Sequence, residues 1–407
     1  MNNYDSTIEA ERSSGVAPAT LASLGLSVVR DDPAFRLQRK LGLIPETGLG
    51  IARCALFWSL LAWLPIAVWA AWTGRAIGET AGEPLLAQFG IHVRFLVAIP
   101  LLIFAEGGVH AMSGNLLLRI VTTGIVPADQ VPAMQALIRR LARLRDAVLP
   151  WIAILGIVVA GITVSDMLHR AHEVEWATDP GDSRSLGFGA WWFLYVGRPI
   201  YLTLLLGWAW RVVLLFLLFG GIARLRLSIV PTHPDRTGGL GFLARFPAAF
   251  APVVFAMSAV TAAMLAHDVV YHDISVKTLR IQMAVFTVIA VLVFLLPMLA
   301  FAGPLARAKR QALLDYGALV SEHGRLVHQR WIEGKRVAEH KVLDAPELGP
   351  VADVATLYTA VTAMRTVPLS RSSVTPLLLA AVLPLLIMLA LEIPIGQLLA
   401  NIAKALL

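Results

Sequence analysis

The chain has 407 residues, of which 57% are hydrophobic and 15% charged, a composition far from that of soluble globular domains and typical of integral membrane proteins. The formal charge of +7 is carried by short segments beside apolar runs, as the positive-inside bias requires, so it argues against a nucleic-acid partner. Cys54 is the single cysteine, which excludes an intrachain disulfide, a CxxC redox pair and a cysteine-based zinc site.

The first fifty residues are polar and mixed in charge, unlike a cleavable signal, so the first apolar run is expected to act as its own insertion signal. Residues 1–32, rich in Ser, Ala, Asp and Glu, read as a flexible tail. From Pro33, Phe35, Leu37, Leu41 and Ile44 interleave with Arg36, Arg39 and Lys40. That pattern suits either a short helix on an anionic membrane face or a solvated basic linker.

About 20 apolar residues are needed to cross ~30 Å of hydrocarbon at 1.5 Å per residue. Seven stretches qualify: Ala55–Trp72, His92–Met112, Leu149–Leu168, Ile200–Ile222, Ala248–Ala266, Ile281–Phe301 and Pro376–Leu391. The last is the shortest and contains Pro384, so the bundle holds six to seven spans. The region Gly187–Ile222 would be ~54 Å of helix, too long for one crossing, and a break is expected at Gly197, Arg198 and Pro199. Trp191, Trp192 and Tyr195 would then sit in the outer headgroup belt and Arg211 near the bilayer centre.

Lys and Arg counted near the spans place the loops after the second, fourth and sixth in the cytoplasm, with the N-terminus inside and the C-terminus outside. Between the second and third spans, Met134, Leu137, Ile138, Leu141, Leu144 and Val148 recur at helical spacing opposite arginines. They predict an amphipathic helix on the inner leaflet, running into the third span, whose first turn tolerates Pro150. After the sixth span, residues 305–370 read as a cytoplasmic helical hairpin turning at Gly349 and Pro350. The tail from Ile395 is amphipathic. The expected organisation is an all-α membrane protein: a tail over 1–50, six spans over 51–304, the hairpin over 305–373, and the last span with its tail over 374–407. No internal repeat is strong enough to indicate an inverted pair.

Ionisable residues inside spans are costly and default to functional candidates. Arg211 reads either as a buried ion pair or as an anion contact on a conduction path. Glu106 lies ~18 Å along its span from Arg94, with His110 one turn further on the same face. Glu106 and His110 could relay protons or ligate a metal; the plainer reading pairs Glu106 with Arg211. At the outer ends of the third and fifth spans, Asp166, His169 and His172, with His267, Asp268 and His272, supply donors that suit a divalent metal such as zinc, or are simply solvated helix ends.

The most polar and glycine-rich loop is Pro231–Phe242, PTHPDRTGGLGF. Its His233, Asp235, Arg236, Gly238 and Gly239 read either as a tight cytoplasmic turn or as a cradle of N–H groups for a phosphate or carboxylate headgroup. The run matches neither the P-loop nor the dinucleotide fingerprint. The run HPDRTGGLGFL, with the later MRTVPLSRSSVTPLLLAAVLPLL, resembles segments that recur in a family of uncharacterised multi-pass bacterial membrane proteins. The resemblance covers about a tenth of the chain directly. It implies a bacterial inner-membrane location and carries over no catalytic residues.

The expected function is a channel or transporter for a small ion or solute, homo-oligomeric and in contact with membrane lipids, with Glu106, His110 and Arg211 along its path. Two alternatives remain. One is a sensor or accessory subunit that binds a soluble cytoplasmic partner through the hairpin. The other is a lipid-headgroup enzyme at the inner interface.

Overall fold

The computed structural model describes residues 32–45, 49–77, 84–168, 175–179, 182–271, 274–335 and 349–390. The expected tails over 1–31 and 395–407 lie outside them. Seven helices are long and apolar enough to cross a membrane, and the chain is a polytopic helical bundle. The helices are α1 (Pro33–Lys40), α2 (Ile51–Trp72), α3 (Phe89–Thr122), α4 (Val131–Asp146), α5 (Leu149–Leu168), α6 (Phe188–Ala223), α7 (Ala251–Tyr271), α8 (Val276–Ile332), α9 (Gly349–Thr362) and α10 (Arg371–Ala390). Between α5 and α6 lie two short antiparallel strands, β1 (Thr178–Asp179) and β2 (Asp182–Leu186), a small addition to an all-helical bundle.

The expected break at Gly197–Pro199 is absent. Residues 188–223 form one helix, with a π segment at Phe193–Gly197 immediately before Pro199. Proline lacks a backbone N–H and its ring clashes with the carbonyl one turn back; widening that turn absorbs both problems and keeps the helix continuous. The same arrangement recurs in α3, where the π segment Val93–Ala98 precedes Pro100. The two widened turns pack on each other, with Phe95 and Phe193 centroids 5.9 Å apart. A Cβ at Gly197 would stand 2.5 Å from the tip of the Phe95 ring.

α4 stops at Asp146 because Ala147 is extended, and the chain re-enters helix at Leu149. The amphipathic segment therefore does not run into α5 unbroken, and Pro150 falls in a first turn, where its missing donor costs nothing. The 57-residue α8 spans roughly 85 Å at helical rise, well beyond a bilayer. Along its extension Tyr358 of α9 lies over Gly317.

The last span is longer than expected, starting at Arg371. It runs along α7, whose buried Ala256, Ser258, Ala259, Ala262 and Ala263 allow close backbone approach. Pro384 cannot donate one turn back, and Ser258 supplies a hydroxyl donor to the neighbouring Ala381 carbonyl. Aromatic rings fill the middle of the bundle: Trp208 meets Phe250 edge-on at 5.9 Å, and Phe250 stacks on Phe294 at 5.1 Å.

Gly197→Ala is expected to lose roughly 1–3 kcal/mol of stability, because the buried Phe95 ring cannot move aside, whereas Gly156→Ala, which meets nothing within 4 Å, should be near neutral. Thermal unfolding of both variants in one detergent checks the contrast; equal melting temperatures would refute the tight packing of the two π turns.

Candidate functional site

α2 has 22 residues and is therefore ~33 Å long, about one hydrocarbon thickness. Its first residue, Ile51, lies against Gly107 of α3, and Trp151 in the first turn of α5 lies against Gly207 of α6. Glu106 and Arg211 are thus level with the starts of two spans. Leu137 of α4 lies against Gly221, about 15 Å further along α6 at helical rise.

The Arg211 guanidinium is buried, with 5% of its side chain exposed. Its Nη1 lies 2.7 Å from Glu106 Oε1 and its Nη2 3.1 Å from Asp32 Oδ2. Trp208, one turn away, puts its ring 5.0 Å from the guanidinium carbon. Asp32 comes from the stretch expected to be flexible tail. It is fixed because it caps α1, its Oδ1 accepting from Phe35 N at 2.7 Å. Arg36 then ties α1 to the Asp146 carbonyl at the end of α4. The pair Asp32–Pro33 is a helix-start signal, an Asn/Asp-type cap before proline in the first turn, and it could have been read from the sequence. α1 also turns differently from its predicted stripe: Phe35 is buried, but Leu37 and Leu41 are each 53% exposed.

Beside this triad is a cavity of about 220 Å³ whose walls include Phe35, Trp58, Trp151, Ile200 and Leu204. Gln38 and Thr203 also face it. Three buried donors around it, Trp58 Nε1, Trp151 Nε1 and Arg211 Nε, have no hydrogen-bond partner. Nothing in the sequence marked the two tryptophans, because an indole in an apolar run reads as ordinary core. His110 does not line the cavity; it is half-buried one turn beyond Glu106, and its carbonyl accepts from Ser113 Oγ at 3.0 Å.

Toward the opposite end the triad is backed by a dry layer. Trp208, Phe95 and Leu102 are at most 1% exposed, and Trp208 Nε1 donates to the Leu102 carbonyl at 3.0 Å. Beyond them Arg94 is buried under the Phe193 and Tyr201 rings, at 5.5 and 5.8 Å. The layer is immediately adjacent to the two π segments.

In the loop 231–242, Asp235 takes the N–H groups that could otherwise have met an anion. Its Oδ1 accepts from Thr237 N at 2.8 Å and Gly239 N at 3.2 Å, and its Oδ2 from Gly241 N at 2.7 Å. His233 Nδ1 is 2.9 Å from the same Oδ1. Burial pushes the Asp235 carboxyl up, but the Thr237, Gly241 and Gly239 N–H groups outweigh it and hold the group below the usual aspartate range. Arg236 adopts the left-handed φ of +58° and Gly238 one of +65°. The Arg236 carbonyl accepts from Arg365 N at 2.6 Å, while Ser373 Oγ donates to the Ala244 carbonyl. The two segments that carry the family resemblance therefore meet in space.

At the far end of α7, His267 packs on Tyr271 with ring centroids 4.9 Å apart. Among the described residues, no three His, Cys, Asp or Glu side chains converge as metal ligands. Of the expected metal set, His267 and Asp268 are described; the Asp166 side chain and residues His169, His172 and His272 lie outside the described residues. Comparison with known protein families, with characterised proteins and with solved structures finds no match for this chain.

Arg211→Ala should cost ~3–5 kcal/mol, since it leaves two buried carboxylates without a counter-charge. Arg211→Met combined with Glu106→Gln and Asp32→Asn should recover much of that loss in the same unfolding assay. Asp235→Ala should lose roughly 1–2 kcal/mol, as the removal of a side-chain cap does. Because the folded Asp235 carboxyl titrates low, its contribution is present above the ordinary aspartate value of ~3.9 and vanishes as pH falls through the lower folded value. The stability difference between wild type and Asp235→Ala should accordingly be constant from pH 5 to 8 and shrink only in strong acid; a difference that changes near neutrality would contradict this.

Proposed function

We propose that the protein is a bacterial inner-membrane transporter of a small solute, with α1, α4 and the extensions of α8 and α9 on the cytoplasmic side, where their basic residues meet anionic headgroups. One observation carries this reading: a buried guanidinium shared by two carboxylates, beside a cavity of about 220 Å³ with three unsatisfied N–H donors. Intramembrane charges with this much desolvation cost persist mainly where they serve function, and unsatisfied buried donors ask for an acceptor. The solute head group would sit at Arg211, and its apolar part between α1, α2, α5 and α6.

In this reading the buried Trp208, Phe95 and Leu102 close the route. Passage requires this layer to part, and the π segments Val93–Ala98 and Phe193–Gly197 beside it are where helix register shifts most readily. His110 would then flank the route without touching the solute in the closed state.

A sensor or accessory role is favoured by a different observation. Trp331 and Ile332 at the end of α8 are 70% and 73% exposed, far beyond the bilayer, as a partner-binding surface would present them. Reconstitution into liposomes separates the two readings. Solute-driven flux that falls at least 10-fold in Arg211→Lys and survives Trp331→Ser with Ile332→Ser supports transport. Absence of flux for any small anion or neutral solute, together with loss of a co-purifying protein in the α8 double variant, would replace transport with the sensor reading.

A further inference from the structure

We infer that Asp32 stands in for the carboxylate of the solute: the cavity takes a monocarboxylate with a short apolar tail, whose entry displaces Asp32 from Arg211 and frees α1. This rests on the reading of the cavity as a solute site.

Three features of the site lead there. The first is the way Asp32 uses Arg211. A guanidinium offers a carboxylate two parallel donors on one edge, and bidentate pairing is its strongest mode. Asp32 engages only Nη2, through Oδ2, because its Oδ1 is committed to Phe35 N. The adjoining Nε is buried and has no partner. A free carboxylate can use both Nη2 and Nε, so it gains a bond that the capping aspartate cannot make.

The second feature is charge. One guanidinium faces two carboxylates, of which Glu106 belongs to a spanning helix and Asp32 to an eight-residue helix at the bundle's edge. Exchanging the Asp32 carboxylate for that of a ligand leaves the charge of the site unchanged, whereas adding an anion beside both would not. α1 is held otherwise by the buried Phe35 and Gln38 side chains and the Arg36 bond to Asp146, with Ile44 buried just beyond it. None of these contacts joins one spanning helix to another, so α1 can leave with the spans still packed on each other.

The third feature is the shape and lining of the cavity. A dry cavity of about 150 Å³ accommodates benzene, so about 220 Å³ suits a chain of six to eight carbons or one substituted ring. The walls are mainly apolar, and the indole N–H groups of the lining residues Trp58 and Trp151, though shielded from the open space, have no partner of their own.

The test uses the full chain in nanodiscs, with octanoate, octyl phosphate and octanol as probes, and calorimetry as the readout. Octanoate should bind Asp32→Ala at least 10-fold more tightly than wild type, because a tethered competitor acts at an effective concentration near the millimolar range. Asp32→Glu should stay close to wild type. Arg211→Lys, checked for folding by circular dichroism, should lose octanoate while retaining octanol. In a Cys54→Ala background with Leu37→Cys, a spin label at the exposed position 37 should become mobile on saturation with octanoate.

Equal octanoate affinity in wild type and Asp32→Ala, or a label that stays immobile, would overturn displacement and leave the solute site standing. Tighter binding of octyl phosphate than of octanoate would overturn the carboxylate class. No binding of any of the three probes to either protein would remove the solute site itself, and the inference with it.

Discussion

A charge that cannot leave the bundle organises this protein. Arg211 is attached to a spanning helix and is nearly excluded from solvent, so it must be compensated from within; an isolated buried guanidinium would cost several kcal/mol. Glu106 supplies half of the answer from α3, and Asp32 the other half from a segment far away in sequence. The consequence is structural before it is functional. α1 is pinned to the bundle, its cap is shared between its own backbone and the guanidinium, and a half-open cavity is left where α1 does not fully fill the space between α2, α5 and α6.

The remaining constraint is the backbone's need for hydrogen bonds in an apolar setting. Three prolines within spans show local accommodations. Pro100 and Pro199 follow widened π turns, and Pro384 lies beside a carbonyl that Ser258 satisfies. The pairing of the two π turns puts the most deformable part of α3 against that of α6, next to the Trp208 layer. The widened turns lie away from the charged site, Ala98 eight residues before Glu106 and Gly197 fourteen before Arg211.

The loop 231–242 performs a similar service outside the span core. Asp235 gathers three N–H groups that would otherwise face no partner, and the closed loop offers its Arg236 carbonyl to Arg365. Lys309 of α8 in turn donates to the Thr362 and Met364 carbonyls. The turn between α6 and α7, the extension of α8 and the entry to α10 are thereby joined into one seam. Headgroup contact at this loop falls to side chains such as Arg236, because its N–H donors are engaged.

The apolar runs alone indicated the class of protein and the place of each of the seven long helices, since the length of a hydrocarbon-crossing helix is set by bilayer thickness and helical rise, but most of the helices run past the ends expected of them. They also picked out Arg211 and Glu106, because charge within an apolar run stands out whatever the fold. Proline misled at Pro199, where a one-dimensional reading sees a missing donor and cannot see the turn that widens around it. Asp32 was legible as a helix cap but not as the partner of Arg211, and the Trp58 and Trp151 donors were not legible at all. Whether a polar atom is satisfied depends on what other elements bring to it. The sequence determined which groups would be costly to bury; only the tertiary structure decided which of them meet and which donors are left waiting.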